Sequence, residues 1–215
     1  MSTLQPRDIM PHNAYGEIEF HGAGHYSRAK FIRLSHDTDP ELAYDLLCNE
    51  WDIGVPKLLI SVTGGAKNFV IQPKLKQILR HGLLKAAQIT GAWLITGGTN
   101  TGVMKHIGEA VRGHTVMSRG AQLKDRAHKV HLIGIASWGI VNHREKLVDA
   151  QEVVAYHMTS SLQSSGACLD NNHSHFILVD NGTIDQYGVE ISFRANLENC
   201  IARKTMLCGE LTTWY

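Results

Sequence analysis

Four glycine clusters hold the residue types in this 215-residue chain that are best suited to chemistry. They are Thr63-Gly64-Gly65 with Asn68, Thr96-Gly97-Gly98-Thr99 with Gly102, Trp138-Gly139, and Gly182-Thr183 with Tyr187, Gly188, Glu190 and Arg194. Glycine lets a backbone approach a ligand closely and adopt positive φ. Where such a turn opens a helix, unpaired amides and the helix dipole favour an anion, so a phosphate or pyrophosphate is the natural occupant. Thr99 and Thr101 can add hydroxyls to such a site. The competing reading is that glycines simply make short strand-to-helix turns, but four clusters at four successive strand ends weigh against it. No G-x-G-x-x-G opens the first helix and no G-x-x-x-x-G-K-[ST] occurs, which disfavours a conventional dehydrogenase or P-loop NTPase. Gly108 stands apart: inside a helical pattern it costs about 1 kcal/mol relative to alanine, and it is expected to allow close packing on a sheet.

The clusters are placed by what precedes them. Each closes a short apolar run: KLLISVTGG (57–65), AWLITGG (92–98), VHLIGIASWG (130–139) and HFILVDNGT (175–183). Helical patterns lie between. Residues 72–91 carry Leu75, Ile78, Leu79, Leu83 and Ala86 on one stripe, residues 102–113 carry Val103, Ile107 and Val111, and residues 187–203 carry Val189, Phe193, Leu197 and Ile201. A short strand is expected at Lys30–Ser35, then a helix at 37–51 capped by Asp39, with Pro40 at its first position and Leu42, Leu46 and Leu47 on one face. Continuously apolar strands alternating with helices imply an α/β fold, a Rossmann-like doubly wound parallel sheet covered on both faces. In such sheets ligands bind outside the carboxyl ends of the strands, where all four clusters fall.

Composition limits the alternatives. A hydrophobic share of 43% and a net charge of +1 exclude a mostly disordered chain and a global field recruiting nucleic acid or an anionic membrane. Cys48, Cys168, Cys200 and Cys208 are widely spaced, which favours reduced thiols in a cytosolic protein over a disulfide framework. No signal-peptide pattern opens the chain, and its apolar runs fall far short of the roughly 18 to 20 residues that span a bilayer. Residues 1–29 read as an irregular arm, 112–129 as a polar, basic surface loop, and 149–174 as a long functional or mobile connection. His173-x-His175 could offer two metal ligands, but with no third nearby a surface or hydrogen-bonded pair is favoured. Ser61, Ser137 and His143 form no nucleophile elbow.

PKLLISVTGGAKNF, GAWLITGGTNTGVMKHIGEAVR, IGIASWGIV and HSHFILVDNGTIDQYGVEI resemble the amino-terminal cytosolic homology region of melastatin-type transient receptor potential cation channels, over residues 30–203. The resemblance implies a fold similar to the nucleotide-sensing superfamily that includes the lysine-decarboxylase-like phosphoribohydrolases. It also implies a regulatory domain at the cytosolic face of a membrane, sensing ADP-ribose or a related nucleotide, in a calcium-permeable channel whose subunits form tetramers. Residue by residue, the family's ligand-contacting loops match Thr63, Gly64, Gly65, Asn68, Gly97, Gly98, Thr99, Trp138 and Gly139. A tyrosine and an arginine seven residues apart fall on Tyr187 and Arg194. A Tyr ring can stack on a base and an Arg can grip a phosphate bidentately, although a rim residue and a solvated helix face are the plainer readings of these two.

The phosphoribohydrolase motif P-G-G-x-G-T-x-x-E is kept only in outline. Gly182, Thr183 and Glu190 match, but Asp180-Asn181 replace the paired glycines and four extra residues precede the glutamate. A helical turn displaces a group by roughly 5 Å, beyond hydrogen-bond reach, so no catalytic residue is expected and Glu190 is read as fixing a ribose hydroxyl or carrying a solvated charge. Residues 204–215 match the family poorly and are expected to be a divergent tail on a truncated chain. Such a piece is expected to leave a sheet edge open and to act on full-length channel subunits, with or without a ligand.

Overall fold

The computed structural model of the chain describes residues 13–22, 26–65, 67–120, 130–149, 153–159 and 166–210, without the side chains of 75, 79, 80, 88, 113–120 and 207–210. Seven strands, β1 (Tyr15–His21), β2 (Arg28–Ser35), β3 (Leu59–Ser61), β4 (Trp93–Thr96), β5 (His131–Ser137), β6 (Val153–His157) and β7 (His175–Asp180), join in one sheet in the order β3-β4-β5-β7-β2-β1-β6. The five strands from β3 to β2 run parallel. β1 pairs antiparallel to β2, and β6 pairs parallel to β1. The mostly parallel sheet is the expected α/β architecture.

Alternation within the strands sends residues to opposite faces. Trp93, Ile95, Ile133, Ile135, Ile177 and Val179 meet α1 (Pro40–Asp45) and α4 (Ile191–Glu210) through Ala43, Tyr44, Phe193, Leu197 and Ile201. On the other face, Leu94 and Leu132 meet α2 (Pro73–Thr90) and α3 (Gly102–Gly120) through Leu84, Ala87, Ile107, Ala110 and Val111. A third cluster, with Ile18, Phe20, Phe31, Leu147, Tyr156, Phe176 and Leu178, binds β1 and β6 to the rest. Asp39 caps α1 as expected, accepting from the Glu41 amide at 3.0 Å.

Several expectations are corrected. The arm at 1–29 contains β1: in YGEIEFH, Ile18 and Phe20 turn inward while Arg28 on β2 pairs with Glu19 at 2.7 Å. The connection at 149–174 contains β6. The segment read as a basic loop continues α3 as far as Gly120, because Gly113 interrupts the helical pattern without ending it; residues 121–129 lie outside the described residues. Leu42 is exposed while Ala43, Tyr44 and Leu47 are buried, since the helix is turned to seat its aromatic ring against Trp93 and closes in a π turn at Leu46–Glu50. In α2 Leu84 and Ala87 are buried and Leu83 packs beside them, while Ala86 and Ile78 face outward, as the helix lies over a sheet edge whose β3 is three residues long; the side chains of Leu75 and Leu79 lie outside the described residues. α4 runs past 203 to Glu210.

Candidate functional site

At the carboxyl ends of β3, β4 and β5, a cleft of about 630 Å³ opens between the glycine turns and the start of α4. Of the sequence-derived site residues, Thr63, Gly64, Gly97, Thr99, Tyr187, Glu190 and Arg194 line it. The volume lies within the roughly 300–1,000 Å³ range of small-molecule sites. Among the described residues, no protein acceptor takes a hydrogen bond from the amides of Thr63, Gly64 or Gly65. They are available to an anion or a ligand oxygen. Tyr187 lines the cleft and is 54% exposed.

Arg194 is neither a solvated charge nor an open fork. Its Nε donates to Glu198 at 2.7 Å, and its Nη2 donates to Ser61 Oγ at 2.8 Å and to the carbonyls of Val62 and Ile95 at 3.1 and 3.2 Å. Ser61 Oγ donates to the same Glu198 oxygen at 2.7 Å. The guanidinium thus pins the ends of β3 and β4 to α4. Glu190 is held by the Ser137 hydroxyl, which in turn accepts from the Val189 amide at 3.2 Å. This leaves Glu190 carboxylate lone pairs toward the cleft, where they suit a ribose hydroxyl or an amino group.

The other candidates hold the turns in place and do not line the cleft. Asn68 Oδ1 accepts from the Gly102 amide at 3.0 Å, capping α3 with a side chain where an anion was expected. Gly98 has φ +69°, and an added Cβ would lie 2.8 Å from the Gly134 Cα. It is glycine because two backbones touch there. Trp138 is buried beneath the Arg33 guanidinium, 4.5 Å from its ring. A Cβ on Gly139 would meet the Thr183 carbonyl at 2.2 Å, so that glycine brings two loops together. Gly182 and Thr183 donate to the side chains of Asp180 and Asn181 at 2.9 and 3.1 Å. Gly65 is exposed beside the cleft. Thr101 bonds Thr99 at 2.9 Å.

Sequence reasoning missed Glu198, and it considered Ser137 only as part of a nucleophile elbow. Glu198 was legible, because a glutamate four residues after an arginine on a helix pairs with it. Ser137 carried no local signal. Asp180, which stands where the hydrolase motif has glycine, is engaged by Arg33 Nε at 3.0 Å and has no substrate-facing role in this arrangement. His173 is buried between Asp170, 2.8 Å from its Nδ1, and Thr96, 2.7 Å from its Nε2. Among the described residues, no cluster of His, Cys, Asp and Glu could hold a metal ion, and no helix is long and apolar enough to cross a membrane.

A mostly parallel sheet with a glycine-lined cleft at its strand ends defines a Rossmann-like fold. A family model described as SLOG in TRPM matches residues 29–212, reaching into the tail expected to diverge. The chain belongs to this family. It is 50% identical over 196 residues to transient receptor potential cation channel subfamily M member-like 2 of Nematostella vectensis, covering 90% of this chain and 12% of that protein. It is 47% identical to human subfamily M member 7 over 191 residues, 89% of this chain and 10% of that protein, and 48% identical to rat member 2 over 198 residues, 91% and 13%. The chain therefore spans about an eighth or less of the relatives' length. Those relatives are named as cation channels.

Proposed function

We propose that the chain is a regulatory nucleotide-sensing domain of a melastatin-type cation channel subunit, acting at the cytosolic face and taking ADP-ribose or a related nucleotide in the strand-end cleft. The observation that carries this reading is the convergence of Thr63, Gly64, Gly97, Thr99, Tyr187, Glu190 and Arg194 on one cleft of nucleotide size. The unengaged amides after β3 suit a phosphate, Glu190 a ribose hydroxyl, and Tyr187 a base. A non-catalytic role is consistent with Glu190, the glutamate displaced from its place in the hydrolase motif, being engaged by the Ser137 hydroxyl. Calorimetry with ADP-ribose tests the ligand. Binding is expected, weakened roughly tenfold in Tyr187→Ala through loss of ring stacking. A folded protein that gives no heat with ADP-ribose overturns the ligand assignment and leaves family membership standing.

A second reading, a ligand-independent assembly module for channel subunits, is favoured by the exposure of Val70, Ile78 and Ile89 along the β3 and α2 edge. Large exposed apolar side chains mark interaction surfaces when they are contiguous. Co-purification with full-length channel subunits that survives Tyr187→Ala but not Ile78→Asp/Ile89→Asp supports this reading over the first.

A further inference from the structure

Arg33 reaches both loops that wall one side of the strand-end cleft without lining the cleft itself. It sits near the end of β2, largely buried, and its Nε and Nη2 both donate to Asp180 Oδ2, the Nε at 3.0 Å. The other carboxylate oxygen, Oδ1, accepts from the Gly182 amide at 2.9 Å, which sets the first turn of the loop running on to α4. That loop supplies Tyr187, Gly188 and Glu190 to the cleft. It is anchored on the loop after β5: the Asp185 amide donates to the Gly139 carbonyl at 3.2 Å, and the Val189 amide and the Glu190 carboxylate both bond the Ser137 hydroxyl. Ser137 and Gly139 flank Trp138, and Arg33 Cζ lies 4.5 Å from the centre of its ring. One cation therefore holds the root of the first loop and the middle of its anchorage on the second.

We propose, resting on the reading of this cleft as a nucleotide site, that Arg33 is the positioning residue for its nucleoside wall and acts through Asp180 and Trp138. Both guanidinium arms on Oδ2 hold the carboxylate against rotation, so Oδ1 stays aimed at the Gly182 amide. The Asp180 side chain is only 9% exposed. Without Arg33 a nearly buried carboxylate is left with no cation, and it must turn or draw in water, which releases Gly182. The Trp138 ring loses its covering cation in the same step. Tyr187 and Glu190 then lose their fixed positions. The amides of Thr63, Gly64 and Gly65 stand on the other side of the cleft, where Arg194 ties Ser61 and the Val62 carbonyl to α4 independently of Arg33. Arg33 thus governs the part of the affinity that comes from Tyr187 and Glu190.

Amide hydrogen exchange in the ligand-free chain and calorimetry with ADP-ribose test this together. In Arg33→Gln, exchange at Gly182, Asp185 and Val189 is expected to quicken roughly tenfold or more, with Ile95 and Ile133 in the sheet unchanged. Arg33→Lys is expected to restore most of the protection, because a single ammonium can serve the one oxygen that both arms share. If Arg33→Gln does not fold, Arg33→Gln/Asp180→Asn removes the stranded carboxylate and is expected to show the same exchange. ADP-ribose affinity is expected to fall roughly tenfold in Arg33→Gln, and Tyr187→Ala to cost less than about threefold more in that background, since both act on one wall. Ile107→Val, in the core between α3 and the other face of the sheet, is expected to change none of these. Unchanged exchange in a folded Arg33→Gln, a Tyr187→Ala loss that multiplies in full, or the same response in Ile107→Val overturns the proposal. No heat from the unsubstituted chain overturns the nucleotide reading alone, and exchange at Asp185 and Val189 then decides the role of Arg33.

Discussion

The strand-end cleft and a smaller groove on the flank of α3, lined by Asn100, Lys105, Glu109, Arg112 and Asn172, each contain a guanidinium and carboxylate charge, yet they place their charges in opposite ways. In the cleft, Arg194 is bound to Glu198, Ser61 and two strand carbonyls, and Glu190 adds a further negative charge. In the groove, the carboxylate is the group that is neutralised, and Lys105 faces the opening. The lesson is that a residue type names a capability, and its partners decide whether that capability is turned toward a ligand or toward the fold. An arginine clamped on carbonyls is first a structural cation. Lys105, by contrast, acts on Glu109 through its charge, while the ion-pair contact of that carboxylate is with Lys76.

Glycine substitutions break this comparison most severely. Gly98→Ala, under the cleft, adds left-handed strain to a backbone contact and is expected to cost about 3–4 kcal/mol in urea denaturation. Gly108→Ala, under the groove, meets a buried carboxylate tied to His173, and about 2 kcal/mol is expected because a side chain yields more readily than a backbone. If Gly108→Ala costs more than Gly98→Ala, the cleft is not the more tightly built of the two. The cations come next. Arg194→Gln is expected to lose about 2 kcal/mol as its charged hydrogen bonds to Glu198 and to the strand carbonyls go, whereas Lys105→Ala is expected to stay within about 0.5 kcal/mol. Equal losses in the two would erase the distinction drawn between them.

The smallest effect concerns Glu109. Burial raises its carboxyl pKa, and the hydrogen bond and charge of Lys76 lower it by more, so it titrates below its ordinary value. A depressed folded-state pKa means that the stabilisation is present above the unfolded pKa and is lost as pH falls through the folded one. As a half-exposed pair it contributes under about 1 kcal/mol. In Lys76→Ala an NMR titration of Glu109 is expected to move upward, and no movement would show that the pair does not neutralise the groove's carboxylate.

The parallel core was legible because its cause is local and repeated. Apolar runs at 57–65, 92–98, 130–139 and 175–183 can be buried on both faces only by flanking helices, and β3, β4, β5 and β7 follow. β1 and β6 were not legible, since each is short and is stabilised by pairing with distant segments. The periodicity of α4 was read correctly at Phe193, Leu197 and Ile201, which the sheet covers squarely. That of α2 was read one position away at its inner end, because a helix over a sheet edge can roll without losing its apolar contacts.

Sequence by itself determined the fold class, the rim on which the glycine clusters meet and the family, for these rest on local periodicity and on long continuous motifs. Only the tertiary structure decided which glycines border the cleft and which are pressed against a distant loop or strand, since that depends on segments far apart in the chain. Gly64 and Gly97 came to line a cleft, while Gly98 met Gly134, Gly139 met Thr183 and Gly108 met Asp170. The missing Cβ is the same in every case, and what occupies its place is set by the packing of the whole domain.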